Sequence, residues 1–344
     1  MTVMNVRRLI PTTVAAGAVA LGLMAVSACS SSNAADGGRN GDKLKVVASF
    51  YPMQYLAEQI GGDHVSVSVL TEPGVEPHDL ELKPRQTAEL NEAGYILYLK
   101  GIQPAVDKAI AQSEAKNKVD AATLAKLEHH GTEGGHSHEG EEPGHEEPGQ
   151  EESGHEESGH DEHAHEGEGE AGADPHIWLD PVKYAEVAKG VGASLEKADP
   201  DHAADYKKNT EALVGKLNGL NTAFQQGLKN TTTKTFITTH SAFGYLAERY
   251  GLDQEGIAGL DPESEPSPAR IKALQDIAEK DKVTTVFFET LASDKTAKTL
   301  AKDAGLKTDV LDPLEGITDK SKGRDYVEVM QSNLDALQKA LGAK

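Results

Sequence analysis

The stretch KLKVVASFYPMQYLAEQIGGDHVSVSVL, residues 43–70, decides the fold class. Lys43 to Phe50 is a short apolar run and reads as a buried strand. Pro52 to Ile60 follows as a short helix, and His64 to Leu70 alternates apolar with polar residues as a second strand does. Lys83 to Glu92 is helical in pattern and Tyr95 to Leu99 reads as a third strand. Strand and helix alternate, which predicts a parallel or mostly parallel sheet.

The same alternation returns after residue 229. Thr235–Thr239, Val283–Phe288 and Thr308–Leu311 read as strands. Ala242–Tyr250 and Tyr326–Leu341 read as helices, with further helices starting at Ser267, capped and followed by Pro268, and at Ser293, ended by Gly305. Between the two sets lie two helical patterns. Asp180-Pro181 starts the first, with Val187, Val191 and Leu195 on one face. Asp199-Pro200 repeats that start. Ala203, Tyr206, Thr210, Leu213, Leu217, Leu220, Phe224 and Leu228 then recur at three and four residues, as in one amphipathic helix. Gly215 and Gly219 weaken it locally. The chain reads as an α/β protein in the order lobe (43–199), long helix (200–228), lobe (229–344).

Residues 129–172 interrupt this order with an imperfect repeat, GHEEP, GQEES, GHEES, GHDEH. They offer almost no apolar side chain to offset the entropy of ordering, so a disordered loop insertion is expected. This segment holds fifteen acidic residues and no Lys or Arg, which leaves only −7 of the net charge of −22 to the rest of the chain. The scaffold is mildly acidic and has no basic patch suited to nucleic acid.

At the other end, Arg7-Arg8 and the apolar run from Leu9 to Met24 read as a signal peptide over residues 1–28, too short for a membrane span. Val26-Ser27-Ala28-Cys29 resembles a bacterial lipobox, which implies lipidation of Cys29 and a membrane anchor. Cys29 is the only cysteine, so no disulfide forms within the chain. Residues 29–42 are expected to be a flexible tether.

The chemistry lies in the histidines. Nine of fourteen fall between His129 and His165: His129, His130, His136, His138, His145, His155, His160, His163 and His165. Interleaved with glutamate, they predict weak, multiple metal binding. His78, His176 and His240 stand apart, each at a strand end or turn, as does Asp312. Ligands of open α/β sheets bind beyond the carboxyl ends of strands, so these positions are compatible with one crevice. His64 and His202 read as surface or hydrogen-bonded residues.

The pieces VVASFYPMQYLAEQIGGD, PHDLEL, DPHIWLDP, THSAFGYLAERYGL, VFFETLASDKTAKTLA and LDPLEG, in that order, make the resemblance specific. The chain resembles the metal-specific solute-binding lipoproteins of bacterial ABC transporters, in the zinc branch of the zinc/manganese family. The resemblance runs from Lys45 to near Gly316, and zinc-type members often carry a histidine-rich acidic insertion at the same point. It implies two α/β lobes with mostly parallel sheets joined by one long rigid helix, and one metal in the interlobe cleft.

The family's ligand positions fall on His78, His176 and His240, and the fourth on Asp312. A water or a histidine lent by the loop are alternatives for the fourth ligand, and Asp312 is equally suited to cap a turn before Pro313. Glu289 is expected either to orient a ligand imidazole or to be a solvated strand end. Trp178 is expected to pack between lobe and helix. Three imidazoles with a carboxylate or water suit Zn²⁺ better than manganese, which prefers more oxygen ligands.

The expected function is a membrane-anchored, monomeric zinc binder on the extracytoplasmic face. It would deliver its cargo to an ABC permease driven by a cytoplasmic ATPase, with only a small tilt between lobes. The alternatives are manganese or iron as cargo, or a surface metal buffer or adhesin. A metallohydrolase is disfavoured, because no HExxH-type motif is present.

Overall fold

A computed structural model of the chain describes residues 38–40, 43–130 and 173–344. The signal peptide, Cys29 and residues 131–172, with the seven histidines from His136 to His165, lie outside the described residues.

The first half contains β1 (Arg39–Asn40), β2 (Lys43–Ala48), α1 (Tyr51–Gly61), β3 (Val65–Val69), α2 (Pro84–Glu92), β4 (Tyr95–Tyr98), α3 (Pro104–Gln112) and β5 (Lys118–Asp120). β2 pairs in parallel with β3 and with β4, and β4 with β5. Val46, Val47 and Ala48 on β2 are all buried, as both faces of a helix-covered parallel sheet require. Arg39 and Asn40, read from sequence as the end of a tether, pair antiparallel with Leu44 and Lys43. Arg39 also donates to the buried Asp199 at 2.6 Å. Asp199 therefore does not cap the long helix as expected. Its carboxylate is held by Arg39, His202 and Tyr206.

α4 (Pro181–Ala198) and α5 (Ala203–Gly227) follow. Asp180 caps α4 by accepting from the Val182 N–H, and Tyr184, Val187, Val191 and Leu195 bury its inner face. After a tight turn at Pro200–His202, α5 folds back along α4 and also packs on α1. Its buried stripe is Tyr206, Thr210, Leu213, Leu217, Leu220 and Phe224. At 25 residues it is about 37 Å long.

The second half contains β6 (Thr235–Thr238), α6 (Gly244–Tyr250), β7 (Asp253–Gly256), α7 (Pro268–Lys280), β8 (Thr285–Phe288), α8 (Lys295–Asp303), β9 (Lys307–Val310) and α9 (Tyr326–Leu341). All four strands are parallel, in the order β7-β6-β8-β9. Ser267 caps α7 as expected, by accepting from the Arg270 N–H. The fold is thus α/β, with two sheets and one long helix between them in sequence.

One hydrophobic cluster runs continuously from β2 and α1 through α4 and α5 to β6, α6 and α9. Trp178 sits at its centre with no exposed surface. The indole packs edge-on against Phe50, with centroids 5.1 Å apart, and its Nε1 donates to the Pro313 carbonyl at 2.7 Å. Tyr326 donates to the Trp178 carbonyl at 2.6 Å and stacks on Tyr55. Each such fully buried large side chain contributes about 1.5–3 kcal/mol by burial. These contacts tie residues flanking the first sheet to residues flanking the second. Among the described residues no helix is long and apolar enough to cross a membrane.

Candidate metal centre

Each side chain of the centre is delivered by a loop or turn. His78 lies in the loop after β3, where the Glu76 carboxylate accepts its backbone N–H at 3.2 Å. His176 occupies the turn just before α4. Asp174 Oδ1 accepts both its backbone N–H, at 2.9 Å, and its ring Nδ1–H, at 2.7 Å. His240 follows β6 by two residues, and its carbonyl is pinned by Thr238 Oγ1 and Gln254 Nε2. Its Nδ1 donates to Glu289 Oε1 at 2.9 Å. A carboxylate can only accept, so both Nδ1 atoms carry their protons and Nε2 is the atom left for a ligand.

The three Nε2 atoms converge on one oxygen, Oε1 of Glu315. It lies 3.2 Å from His240, 3.3 Å from His176 and 3.5 Å from His78. The donor atoms of these four residues all lie within 4.8 Å of one another. A tetrahedron with bonds of about 2.0–2.1 Å to its centre has edges of about 3.3–3.4 Å, and the three edges that end on Glu315 are close to that length. His176, His240 and Glu315 are buried, and His78 keeps 11 % of its side-chain surface exposed. The Nε2 atoms of His78 and His176 and Oε2 of Glu315 are buried without any hydrogen-bond partner. Orphaned polar atoms of this kind are costly unless a cation occupies the space between them.

Asp312 is not among the four residues whose donor atoms cluster, and its contacts are those of the turn cap that was its other expected role. Its Oδ1 accepts from the Leu314 N–H at 2.8 Å and its Oδ2 from Thr290 at 3.3 Å. Its backbone N–H and carbonyl are both paired with Asn333. Asp312 is the cap of a turn. In that turn Leu314 adopts φ of 59°, a left-handed conformation rare for leucine, and the next residue, Glu315, enters the cleft. Glu289 is buried and accepts from His240 Nδ1, so it is not a solvated strand end. Asp174, which orients His176, was missed by sequence reasoning. The signal lay two residues upstream of a candidate ligand, within DPHIWLDP.

The electrostatics follow from burial. Desolvation lowers the pKa of His240, but Glu289 and Glu315 outweigh it and hold the imidazole well above its ordinary value. His176 is likewise raised, with Asp174 and Glu315 overcoming burial. Burial opposes ionisation of Glu315, yet His240, His176 and His78 together hold its carboxyl well below the usual range. Glu76, buried and facing Glu315, is pushed up to about 9. Imidazoles held above their ordinary pKa make protons compete with a cation for this cluster.

Of the nine histidines of the acidic segment, His129 and His130 fall among the described residues. His130 faces Asp174 and Glu248, away from the cleft cluster. His64 and His202 stack at 4.0 Å and are hydrogen-bonded to Asp205 and Asp199, as expected of non-ligands.

Comparison with known proteins gives the chain's family. The family described as "Zinc-uptake complex component A periplasmic" matches residues 46–340. The chain is 38% identical over 333 residues to the high-affinity zinc uptake system protein ZnuA of Bacillus subtilis, covering 95% of this chain and 97% of that one. It is 36% identical over 318 residues to the zinc-binding lipoprotein AdcA of Streptococcus pneumoniae, where it covers 90% of itself but spans only 57% of that relative's length. The crystal structure of the Zn(II)-bound ZnuA-like domain of S. pneumoniae AdcA superposes with a TM-score of 0.66 at 31% identity, over 87% of this chain and 99% of that domain.

Proposed function

Because the chain belongs to the zinc-uptake complex component A family, we propose that it is the zinc-binding component of an ABC importer and that His78, His176, His240 and Glu315 hold its cargo. The observation that carries this reading is the convergence of three Nε2 atoms on one carboxylate oxygen at 3.2–3.5 Å. Three imidazoles and one carboxylate form a borderline-soft set that suits Zn²⁺ and is poor in oxygen for manganese. All four corners are side chains, which is the pattern of a closed site. A hydrolytic zinc keeps one corner for water, so the centre is built to bind and not to turn over a substrate.

On this reading the chain works outside the cytoplasm, as a monomer held to the membrane by lipid on Cys29. It hands zinc to a permease powered by an ATPase. His78, the least buried of the four, is the edge through which zinc enters and leaves. Titrating the purified chain with zinc and manganese in competition tests the proposal. One zinc held tightly against manganese, and lost in His240→Ala, is the expected result. A tight manganese, or no tight metal, overturns it.

A further inference from the structure

A carboxylate that none of the four corners uses lies on the loop that delivers His78. Glu76 stands two residues before His78, and its Oε1 accepts the His78 backbone N–H at 3.2 Å. Its other oxygen, Oε2, is buried without a hydrogen-bond partner. The same holds for Oε2 of Glu289 and Oε2 of Glu315, two residues that are almost wholly buried. One oxygen each from Glu76, Glu289 and Glu315 lie within 4.8 Å of one another. Glu315 is therefore shared between the three imidazoles and two further carboxylates.

Those two carboxylates are not equivalent. Glu289 is buried, and its Oε1 accepts from both His240 Nδ1 and Thr239 Oγ1. Glu76 is half-buried, like His78, and residues 72–75 before it are exposed. This exposed stretch is a turn, with the Val75 N–H donating to the Glu72 carbonyl at 3.1 Å and Gly74 at φ of 85°. Only Pro77 separates Glu76 from His78. Any displacement of the loop therefore moves the least buried imidazole and this carboxylate together.

A cage of four donors that binds tightly releases slowly unless one corner can be exchanged instead of simply broken. Zinc takes a fifth donor in passing, because it has no d-electron preference for one geometry. We propose that Glu76 is the exchange ligand of the cleft, taking the corner that His78 gives up as zinc enters or leaves; this rests on the cleft assignment above. One bond, from zinc to His78 Nε2, breaks as another, from zinc to Glu76 Oε2, forms, so the ion keeps four donors. The charge of the ion offsets the Glu315 charge that Glu76 faces, which favours the ionised carboxylate during the passage. Glu76 is not a resting corner, since it stands outside the group of His78, His176, His240 and Glu315. A group that lowers the barrier without a place in the resting shell speeds capture and release alike and leaves the equilibrium where it was.

The test uses the full-length chain. Capture is followed by rapid mixing with zinc, and release by mixing the zinc-loaded chain with excess chelator. Glu76→Gln keeps an oxygen to accept the His78 N–H and removes the ligating charge. Both rates should fall by about tenfold or more, while the equilibrium affinity stays within about threefold. A purely structural role for Glu76 predicts the opposite pattern, weaker binding with faster release. That pattern overturns the proposal. So do rates indifferent to Glu76→Gln in a chain whose zinc is tight and is lost in His240→Ala. No tight zinc in the parent chain, or a tight zinc retained in His240→Ala, removes the cleft assignment and this inference with it.

Discussion

Asp174 holds His176 twice, by its ring Nδ1 at 2.7 Å and by its backbone N–H at 2.9 Å, although only Pro175 separates them in the chain. The His176 ring is therefore held in one orientation by the chain itself. Asp174→Asn removes the acceptor charge and frees the tautomer. Zinc affinity at the tight site should fall by about 10–100-fold, as measured by chelator competition. An unchanged affinity would show that the ring needs no such orientation.

Glu315 and Asp312 separate binding from folding. Glu315→Gln removes the negative corner of the cluster and should weaken zinc by at least about tenfold. Asp312→Ala should leave zinc affinity nearly unchanged. It should lower unfolding stability by about 1–3 kcal/mol, because the buried Leu314 N–H loses its acceptor. Loss of zinc binding in a folded Asp312→Ala chain with Glu315→Gln still binding zinc would restore Asp312 as a ligand.

Zinc binding should depend steeply on pH. His176 and His240 are raised above 6.5 in the metal-free cleft, so both carry extra protons near neutrality and must release them. Affinity therefore rises with pH through neutrality. Calorimetry in buffers of different ionisation heat should detect release of about one to two protons per zinc. The metal-free chain shows the opposite trend. A raised histidine stabilises the fold below its unfolded value of 6.5, and this is lost as pH rises through the folded value. A lowered Glu315 stabilises above 4.5, and this is lost as pH falls through its folded value. The cleft thus favours the metal-free fold most between those two ordinary values. Zinc-free melting that is flat with pH would contradict this.

The long helix offers a clean stability test. Gly215 and Gly219 lie on exposed turns of α5, and a Cβ at either would meet nothing within 4 Å. Gly215→Ala and Gly219→Ala should each stabilise the chain by about 0.5–1 kcal/mol in denaturant unfolding, with zinc binding untouched.

Much of this was legible in the residues, because burial imposes a pattern. KLKVVASF, TFITT and VTTVFF are read as strands from their apolar, β-branched runs, and the stripe of α5 from its spacing. β7 escaped because DQEG carries no apolar signal, although it pairs with β6 along its whole length. β5 escaped because it has three residues, KVD. The three histidines that cluster in the structure were singled out by their motifs, while Glu315 beside them was not. Asp312 and Glu315 are both acidic and three residues apart. Between them Leu314 takes a left-handed conformation, a backbone state that no local pattern announces.

The aromatic seam of Trp178, Tyr326, Tyr55 and Phe50 carries a consequence for delivery. With the indole bonded to Pro313 and clamped by Tyr326, the halves have little freedom to swing, and small-angle scattering should give nearly equal radii of gyration with and without zinc. On that outcome a transporter waiting at the membrane would see almost the same silhouette whether its courier arrives full or empty. The message must be written in charge and in the posture of a few rim residues around His78, so the selection of loaded carriers becomes a reading of local chemistry and not of gross shape.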